Sequence, residues 1–138
     1  MPALKPTATA KPLDEKITIN VGFVDLGQID LLVQEGFYAN RTDLIRTAIR
    51  NQIAAHAEAV RQVVSRRTLV LGIQHLTTTE LQAVRARGEM LDMRVLGLLS
   101  IAPDVTPDLA LATLNSIDVL GALHATPVVK AALAGRLK

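Results

Sequence analysis

Three polar side chains near the start of the chain, Lys16, Thr18 and Asn20, lie at every second position, and we call them the polar row. Lysine can donate hydrogen bonds to guanine O6 and N7, asparagine can pair bidentately with adenine, and threonine offers a hydroxyl and a methyl group. Alternate positions of an extended strand share one face. The spacing therefore predicts that the polar row contacts the base edges of a nucleic acid.

Residues suited to catalysis or metal binding do not form a comparable set. The three histidines, His56, His75 and His124, lie in separate segments, and the chain has no cysteine. No trio of serine, histidine and acid stands out, and no glycine-rich phosphate loop follows a strand. We therefore expect no enzymatic activity, no metal site and no cofactor.

Positive charge is unevenly distributed along the chain, although the net charge is only +2. Residues 1–67 hold nine Lys and Arg against seven Asp and Glu, whereas residues 68–138 hold six of each. The excess therefore falls in the half that contains the polar row. So small an excess argues against strong binding to DNA of any sequence, because that affinity comes mainly from phosphate neutralisation.

Composition also bears on where the protein acts. The absence of cysteine fits a reducing compartment. The first residues lack the apolar run of a secretory signal, and no stretch of about 18 apolar residues could span a bilayer. These observations predict a cytoplasmic protein that does not contact a membrane.

The apolar pattern of the first half predicts the elements that position the polar row. Residues 1–14 are expected to form a disordered, weakly basic arm. Alternation of apolar and polar residues from Lys16 to Val24 predicts a strand with one buried face. A helix is expected from Leu26 to Gln34, capped by Asp25 and ended by Gly36.

A second helix is expected to begin after Asn40, which can cap it, with Asp43 three residues further on. An apolar stripe from Ile45 to Val63 keeps steps of three or four residues, with neither Gly nor Pro before Gly72. This pattern predicts a helix of about 25 residues. The first module is therefore expected to span residues 15–67.

The predicted strand has no second strand within this module. Its backbone N–H and C=O groups need partners, and an isolated strand is not stable in water. The simplest partner is the same strand, residues 16–24, of a second chain, antiparallel across a twofold axis. We therefore expect dimerisation to be a condition of folding.

Three segments follow one another in a distinctive order: Lys16-Ile-Thr-Ile-Asn-Val21, then Gly36-Phe-Tyr-Ala-Asn-Arg-Thr-Asp-Leu-Ile-Arg46, then Ala48-Ile-Arg50. In this order and spacing they resemble the ribbon-helix-helix family of bacterial and phage regulators, often called the Arc, MetJ and CopG type. The resemblance covers about residues 15–55.

This resemblance implies a two-stranded ribbon that lies in the major groove of DNA and reads bases through the polar row. It also implies that the start of the second helix, at Asn40, Arg41 and Thr42, binds the phosphate backbone. A helix N-terminus with free N–H groups attracts an anion on physical grounds as well. Double-stranded DNA is therefore the expected partner.

The second half repeats a tripeptide, Val-Leu-Gly, at residues 70–72, 95–97 and 119–121, each time within a short apolar run. Each run is followed by a helix-start signal that opens on a threonine. Strand and helix alternating about every 24 residues predict parallel neighbouring strands. The chain is therefore expected to be α+β, with a parallel sheet in residues 68–138 built from three strands: Leu69–Ile73, Val95–Leu99 and Val119–Leu123.

A three-strand sheet leaves two edges unpaired, which favours pairing with further copies. The leading hypothesis is a sequence-specific transcriptional regulator, a repressor, that acts as a homodimer or as a higher oligomer through residues 68–138. One alternative is an antitoxin that represses its own operon and binds a toxin through its C-terminal half. Another is an architectural protein that coats DNA. The ordered repeats weigh against the first alternative, and the modest charge weighs against the second.

Overall fold

The structure, a computed structural model, describes residues 14–138. Its internal contacts divide the chain into two compact units, Met1–Ala54 and Ala55–Lys138. This division falls before residue 68, where the sequence pattern places it. The predicted disordered arm, apart from Asp14, lies outside the described residues.

The first unit contains helix α1 (Phe23–Gln34) and helix α2 (Arg41–Ala55). Helix α1 begins earlier than expected, because Gly22 is its N-cap and the amide of Leu26 donates to the carbonyl of Gly22 at 2.9 Å. The predictions of a strand reaching Val24 and of a cap at Asp25 are therefore wrong. Asp25 lies instead in the first helical turn, where a carboxylate interacts favourably with the helix dipole.

Gly36 ends α1, as the sequence predicts. Its φ of +85° is a left-handed conformation that glycine adopts without steric cost. The amide of Phe37 then donates to the carbonyl of Leu32 at 3.0 Å, and that of Gly36 donates to the carbonyl of Val33 at 3.1 Å. These two bonds satisfy carbonyl groups that the end of the helix would otherwise leave unpaired.

The long second helix of the prediction is interrupted in the structure. Helix α2 stops at Ala55, His56 departs from helical geometry with φ −104° and ψ 15°, and helix α3 spans Ala57–Arg67. Neither Gly nor Pro marks this break. Helix α3 belongs to the second unit, where Val60, Val63 and Val64 line a cavity together with residues of its sheet. The apolar stripe therefore runs from the first unit into the second, where its residues in α3 line this cavity.

After α3, the second unit alternates strands and helices. Its sheet has the order β1-β2-β3 with both pairs parallel, which confirms the predicted α+β fold. A short 3-10 helix, Ala134–Arg136, follows the last helix. The elements in chain order are β1 (Val70–Leu76), α4 (Thr78–Ala86), β2 (Leu91–Ile101), α5 (Pro107–Thr113), β3 (Leu114–His124) and α6 (Pro127–Leu133).

The repeated tripeptides fix the register of this sheet: Gly72 pairs with Gly97, and Gly97 with Gly121. Thr77, Thr106 and Thr126 cap the helices that follow the strands, because each hydroxyl accepts a hydrogen bond from the amide three residues on. All three strands are longer than their apolar runs predict, and β1 continues to Leu76. β2 and β3 begin at Leu91 and Leu114, ahead of the tripeptides.

One face of the sheet packs against its helices and forms the core of the second unit. Aliphatic side chains fill this core, among them Val95, Leu99 and Ile117 from the strands and Leu81, Leu109 and Val129 from the helices. The side chains at Leu71, Leu96 and Leu120 share one row of the opposite face. The sheet therefore has one covered face and one face on which Leu71 and Leu120 are exposed.

A glycine within a strand often marks a place where another part of the backbone approaches closely. In this sheet the approaching backbone is that of the neighbouring strand and not that of a helix. A Cβ added to Gly97 would overlap the carbonyl oxygen of Gly72, and one added to Gly121 would overlap that of Gly97. All three have φ between +125° and +140°. They form a glycine ladder in which the Cα of Gly97 packs on the carbonyl of Gly72 and that of Gly121 on the carbonyl of Gly97.

Candidate nucleic-acid interface

The polar row lies on residues that precede α1 and belong to no helix. All three of its side chains are exposed, and so are the apolar side chains between them, Ile17 and Ile19. Both faces of this segment are therefore open in the single chain. Within the described residues no strand pairs with this segment.

The first unit has no buried residue among positions 14–54. Side chains between α1 and α2 are only partly covered, and large apolar residues elsewhere in the unit are exposed. Burying one aliphatic or aromatic side chain of this size stabilises a fold by roughly 1.5–3 kcal/mol. In the single chain this unit therefore leaves large apolar side chains exposed, among them Ile17, Ile19, Phe23, Val24, Phe37 and Ile53.

Asn40 and Asp43 build the N-terminus of α2 as predicted. The side-chain oxygen of Asn40 accepts a hydrogen bond from the amide of Asp43 at 2.8 Å, and the carboxylate of Asp43 accepts one from the amide of Ala39 at 3.0 Å. This reciprocal arrangement resembles a capping box. Because the oxygen of Asn40 is used in the cap, its amide group is the part that could donate to a phosphate.

Arg41 makes a bidentate ion pair with Asp30 of α1. Its Nε donates to one carboxylate oxygen at 2.7 Å, and a terminal nitrogen donates to the other at 2.8 Å. The hydrogen bond from Arg41 lowers the pKa of Asp30. The same bond and the attraction of the carboxylate raise the pKa of Arg41. The predicted phosphate ligand therefore already has an anionic partner in its own chain, with which a phosphate would compete for the guanidinium.

A shallow polar depression of about 480 Å³ lies along α2 and is lined by Asn40, Thr42, Asp43, Arg46 and Arg50. Thr42, Arg46 and Arg50 lie four residues apart and so share one face of the helix. Arg46 and Arg50 make no ion pair within the described part of the chain that contains them. Sequence reasoning did not assign them a role, although their spacing from Thr42 could have suggested one.

Neither a metal centre nor a membrane span is found over residues 14–138. No group of three or more His, Asp or Glu side chains in this range is placed to hold a metal ion. No helix in the same range is both long and apolar enough to cross a bilayer. The polar row and the N-terminal half of α2 are thus the candidate site.

Comparison with known proteins gives a match to one family. The family model described as the ribbon-helix-helix transcriptional regulator family matches residues 12–130. No curated protein matches the chain, and no solved structure does. The match extends well beyond the segments that carry the resemblance and includes most of the second unit.

Proposed function

Because the chain belongs to the ribbon-helix-helix transcriptional regulator family, we propose that it is a sequence-specific repressor that binds double-stranded DNA as a homodimer. Membership of this family implies DNA binding and dimerisation. The observation that carries the finer proposal is the state of the first unit, which has no buried residue from position 14 to position 54 and exposes both the polar row and the apolar residues that alternate with it, Ile17, Ile19 and Val21.

A ribbon formed with a second chain accounts for both exposed rows. Residues 16–21 of two chains pair antiparallel, ahead of the Gly22 cap of α1, so that Ile17, Ile19 and Val21 lie against the helices and complete the core. The polar row then points away from the core and towards the major groove. A two-stranded ribbon fits that groove, and each well-placed base contact is worth about 1–3 kcal/mol of discrimination.

The start of α2 serves as the phosphate clamp of this proposal. The amide group of Asn40 and the hydroxyl of Thr42 can donate to phosphate oxygens, and the free N–H groups of the helix N-terminus attract the same anion. Arg46 and Arg50, on the face of Thr42, extend the positive surface along α2. Arg41 joins the clamp when its guanidinium exchanges Asp30 for phosphate.

The second unit serves assembly. Within the described residues one face of its sheet exposes Leu71 and Leu120, β1 has one unpaired edge, and β3 is unpaired beyond its bridge with Leu137, and these features favour contacts between copies. We propose that residues 68–138 join the dimers into a higher oligomer. Such an oligomer engages several operator sites at once, because linked sites raise the effective concentration at each.

A genome-wide DNA pull-down with the purified full chain tests the DNA-binding role. We expect a few sharp sites, and footprints on them that are lost for Lys16→Ala, Thr18→Ala or Asn20→Ala. Each substitution should weaken specific binding by about 1–3 kcal/mol and leave binding to random DNA nearly unchanged. Lys130→Ala, in the second unit, is the charge-matched control for Lys16.

Two outcomes would favour the alternatives. Even coverage of the genome, with equal losses on specific and random DNA, would indicate an architectural protein. Copurification of a small protein whose activity the full chain suppresses would indicate an antitoxin.

A further inference from the structure

Both free edges of the sheet lack the residues that normally protect edges. β1, Val70–Leu76, contains no Lys, Arg, Asp, Glu or Pro, and neither do residues 119–124 of β3. Natural sheets discourage edge pairing with such residues, particularly lysine and proline. Both edges therefore have the composition of strands that have neighbours on each side.

Exposure of apolar side chains increases at the edge formed by β1. Val70 is 47% exposed, whereas its register partner in β2, Val95, is fully buried. On the opposite face Ile73 is 59% exposed, whereas its partner Leu98 is 8% exposed. In both pairs the buried residue has a strand on each side and the exposed one does not. A strand beside β1 would cover apolar residues on both faces.

The backbone groups that could bind such a strand can be assigned from two hydrogen bonds. The amide of Ala102 donates to the carbonyl of Leu76 at 2.9 Å, so the backbone N–H and C=O groups of Leu76 point towards β2. Because these directions alternate along a strand, Leu71 and Ile73 direct theirs outwards. At the other edge the amide of Lys138 donates to the carbonyl of Ile117 at 2.8 Å, so Gly121 directs its backbone outwards too.

Residues 137 and 138 occupy only the first part of the β3 edge. Leu137 forms a parallel bridge with Ile117, and beyond it no strand among the described residues lies against β3. A cavity of about 190 Å³ runs along this edge, lined by residues that include Val119, Gly121 and Leu123. The edge of β3 from Val119 onwards is therefore unpaired within the described residues, and apolar side chains lie along it.

The glycine ladder makes the two edges complementary to each other. Gly97 places its Cα on the carbonyl of Gly72, and Gly121 places its Cα on the carbonyl of Gly97. Gly72 has the same left-handed φ, +128°, but a Cβ added to it would meet nothing within 4 Å. At one end of the ladder the Cα of Gly72 on β1 is uncovered, and at the other end the carbonyl of Gly121 on β3 points outwards. A Cα and a carbonyl are the two groups that meet in each contact within the ladder.

We propose that β1 of one copy pairs in parallel with the β3 edge of a second copy, with Gly72 packed against Gly121. This register continues the one that joins β1 to β2 and β2 to β3. It places Val70 beside Val119 and Leu71 beside Leu120. The contact is head-to-tail, so it does not close on itself as a twofold contact does, and dimers joined by it form rows of increasing length.

This inference deepens the assembly role proposed above and rests on it. It is tested without DNA, so its failure would leave the DNA-binding role of the first unit unaffected. If rows form but the full chain does not bind DNA, the DNA-binding proposal fails and the assembly proposal stands.

Disulfide trapping in the full chain distinguishes this arrangement from others, because the natural chain has no cysteine. In the proposed contact, Leu71 and Leu120 of different copies are one strand spacing apart, about 4.8 Å, which a disulfide can bridge. Within one chain β2 separates them by about twice that distance, which it cannot. We expect a mixture of Leu71→Cys chains and Leu120→Cys chains to form a covalent pair under mild oxidation.

The single variants and a collision control define the other outcomes. Leu71→Cys mixed with Val128→Cys, an exposed position on α6, measures cross-linking by random encounter. Cross-linking of Leu71→Cys alone, at a yield above that of the mixture with Leu120→Cys, would indicate twofold pairing of β1 edges and overturn the proposal. A yield no higher than the collision control would overturn it as well.

Sedimentation of the full chain over a range of concentrations tests the edge itself. The average mass should continue to rise beyond a dimer for the natural chain, and Ile73→Pro should stop this rise because proline removes an outward N–H. Ile73→Ala shortens the same side chain but keeps the N–H, so it should still form rows. Equal loss of assembly in the two variants would show that the exposed face makes the contact and would overturn the proposal.

Discussion

Arg41 is the candidate residue whose role depends most directly on a partner in its own chain. Its ion pair with Asp30 joins α1 to α2, and both side chains are about half exposed. Exposed ion pairs contribute little to stability, so exchange of Asp30 for a phosphate costs little. In the proposed phosphate clamp, the pair would hold the guanidinium near the start of α2 before DNA binds.

Asp30→Asn and Arg41→Ala should change DNA binding in opposite directions. Removing the carboxylate charge frees the guanidinium, so Asp30→Asn should tighten binding to all sequences alike. Arg41→Ala should weaken binding to all sequences and lower the slope of log affinity against log salt by about 1. Titrations on specific and random duplexes at several salt concentrations measure both effects. Equal weakening by the two substitutions would assign the pair a purely structural role.

Asp92 gives a pH dependence to the second unit. Its carboxylate accepts hydrogen bonds from the hydroxyl of Ser116 at 2.7 Å and from the amide group of Asn115 at 2.9 Å. These bonds, that of Ser116 first, lower the pKa of Asp92. A carboxyl whose pKa is lower in the folded state stabilises the fold above its unfolded pKa, about 3.9, and this contribution is lost as the pH falls through the folded value.

The difference in unfolding free energy between the natural chain and Asp92→Asn should therefore be constant near neutral pH and should shrink in acid. Urea titrations monitored by circular dichroism between neutral pH and about pH 3 measure this difference. The double substitution Ser116→Ala with Asn115→Ala keeps the carboxylate of Asp92 and removes its hydrogen-bond donors. Its unfolding free energy should therefore change less between neutral and acid pH than that of the natural chain, as for Asp92→Asn. A difference that persists in acid would mean that Asp92 acts through packing alone.

At the scale of elements, the glycine ladder should tolerate no side chain. Gly97→Ala would combine a left-handed φ with overlap of the Gly72 backbone, which cannot move aside within a paired strand. Gly88→Ala is the matched control, because Gly88 also has a positive φ, +67°, but open space around it. We expect Gly88→Ala to cost about 1–2 kcal/mol, from the left-handed backbone alone. Gly97→Ala should cost more than that, measured as the loss of unfolding free energy.

The caps of α4, α5 and α6, the end of α1 and the register of the sheet were the most predictable features of the fold. The threonine caps, Gly36 and the repeated tripeptides each act through local chemistry or a fixed spacing, so the sequence predicts them directly. The start of α1 was missed because Phe23 continues the alternation of the preceding residues. The break at His56 was missed because no local residue causes it, since the apolar stripe passes from one unit to the other.

The candidate site was predictable to a different extent for each residue. Asn40 and Asp43 follow from the capping pattern, and the exposure of the polar row follows from alternation. The pairing of Arg41 with Asp30 could not be predicted, because it joins residues on two different helices. Arg46 and Arg50 carried a usable signal in their four-residue spacing from Thr42, but helix periodicity alone does not separate a binding face from a solvated one.

At the scale of the whole molecule, the two units differ in what makes them stable. The second unit has a core of buried aliphatic residues within one chain. The first has no buried residue from position 14 to position 54. In the proposed dimer a second chain completes the core of the first unit, so the folding of this unit should depend on protein concentration. The second unit buries its core within one chain, so its folding should not.

Tyr38 allows this dependence to be measured in the intact protein. It is the only tyrosine, the chain has no tryptophan, and it lies in the first unit, so tyrosine fluorescence reports on that unit alone. For a dimer that unfolds to separate chains, a tenfold increase in concentration adds about 1.4 kcal/mol to the unfolding free energy. With a urea dependence of about 1–3 kcal/mol per molar, the fluorescence midpoint should rise by roughly 0.5–1.4 M. A midpoint that does not change with concentration would mean that the first unit folds as a monomer, and the ribbon proposal would then be untenable.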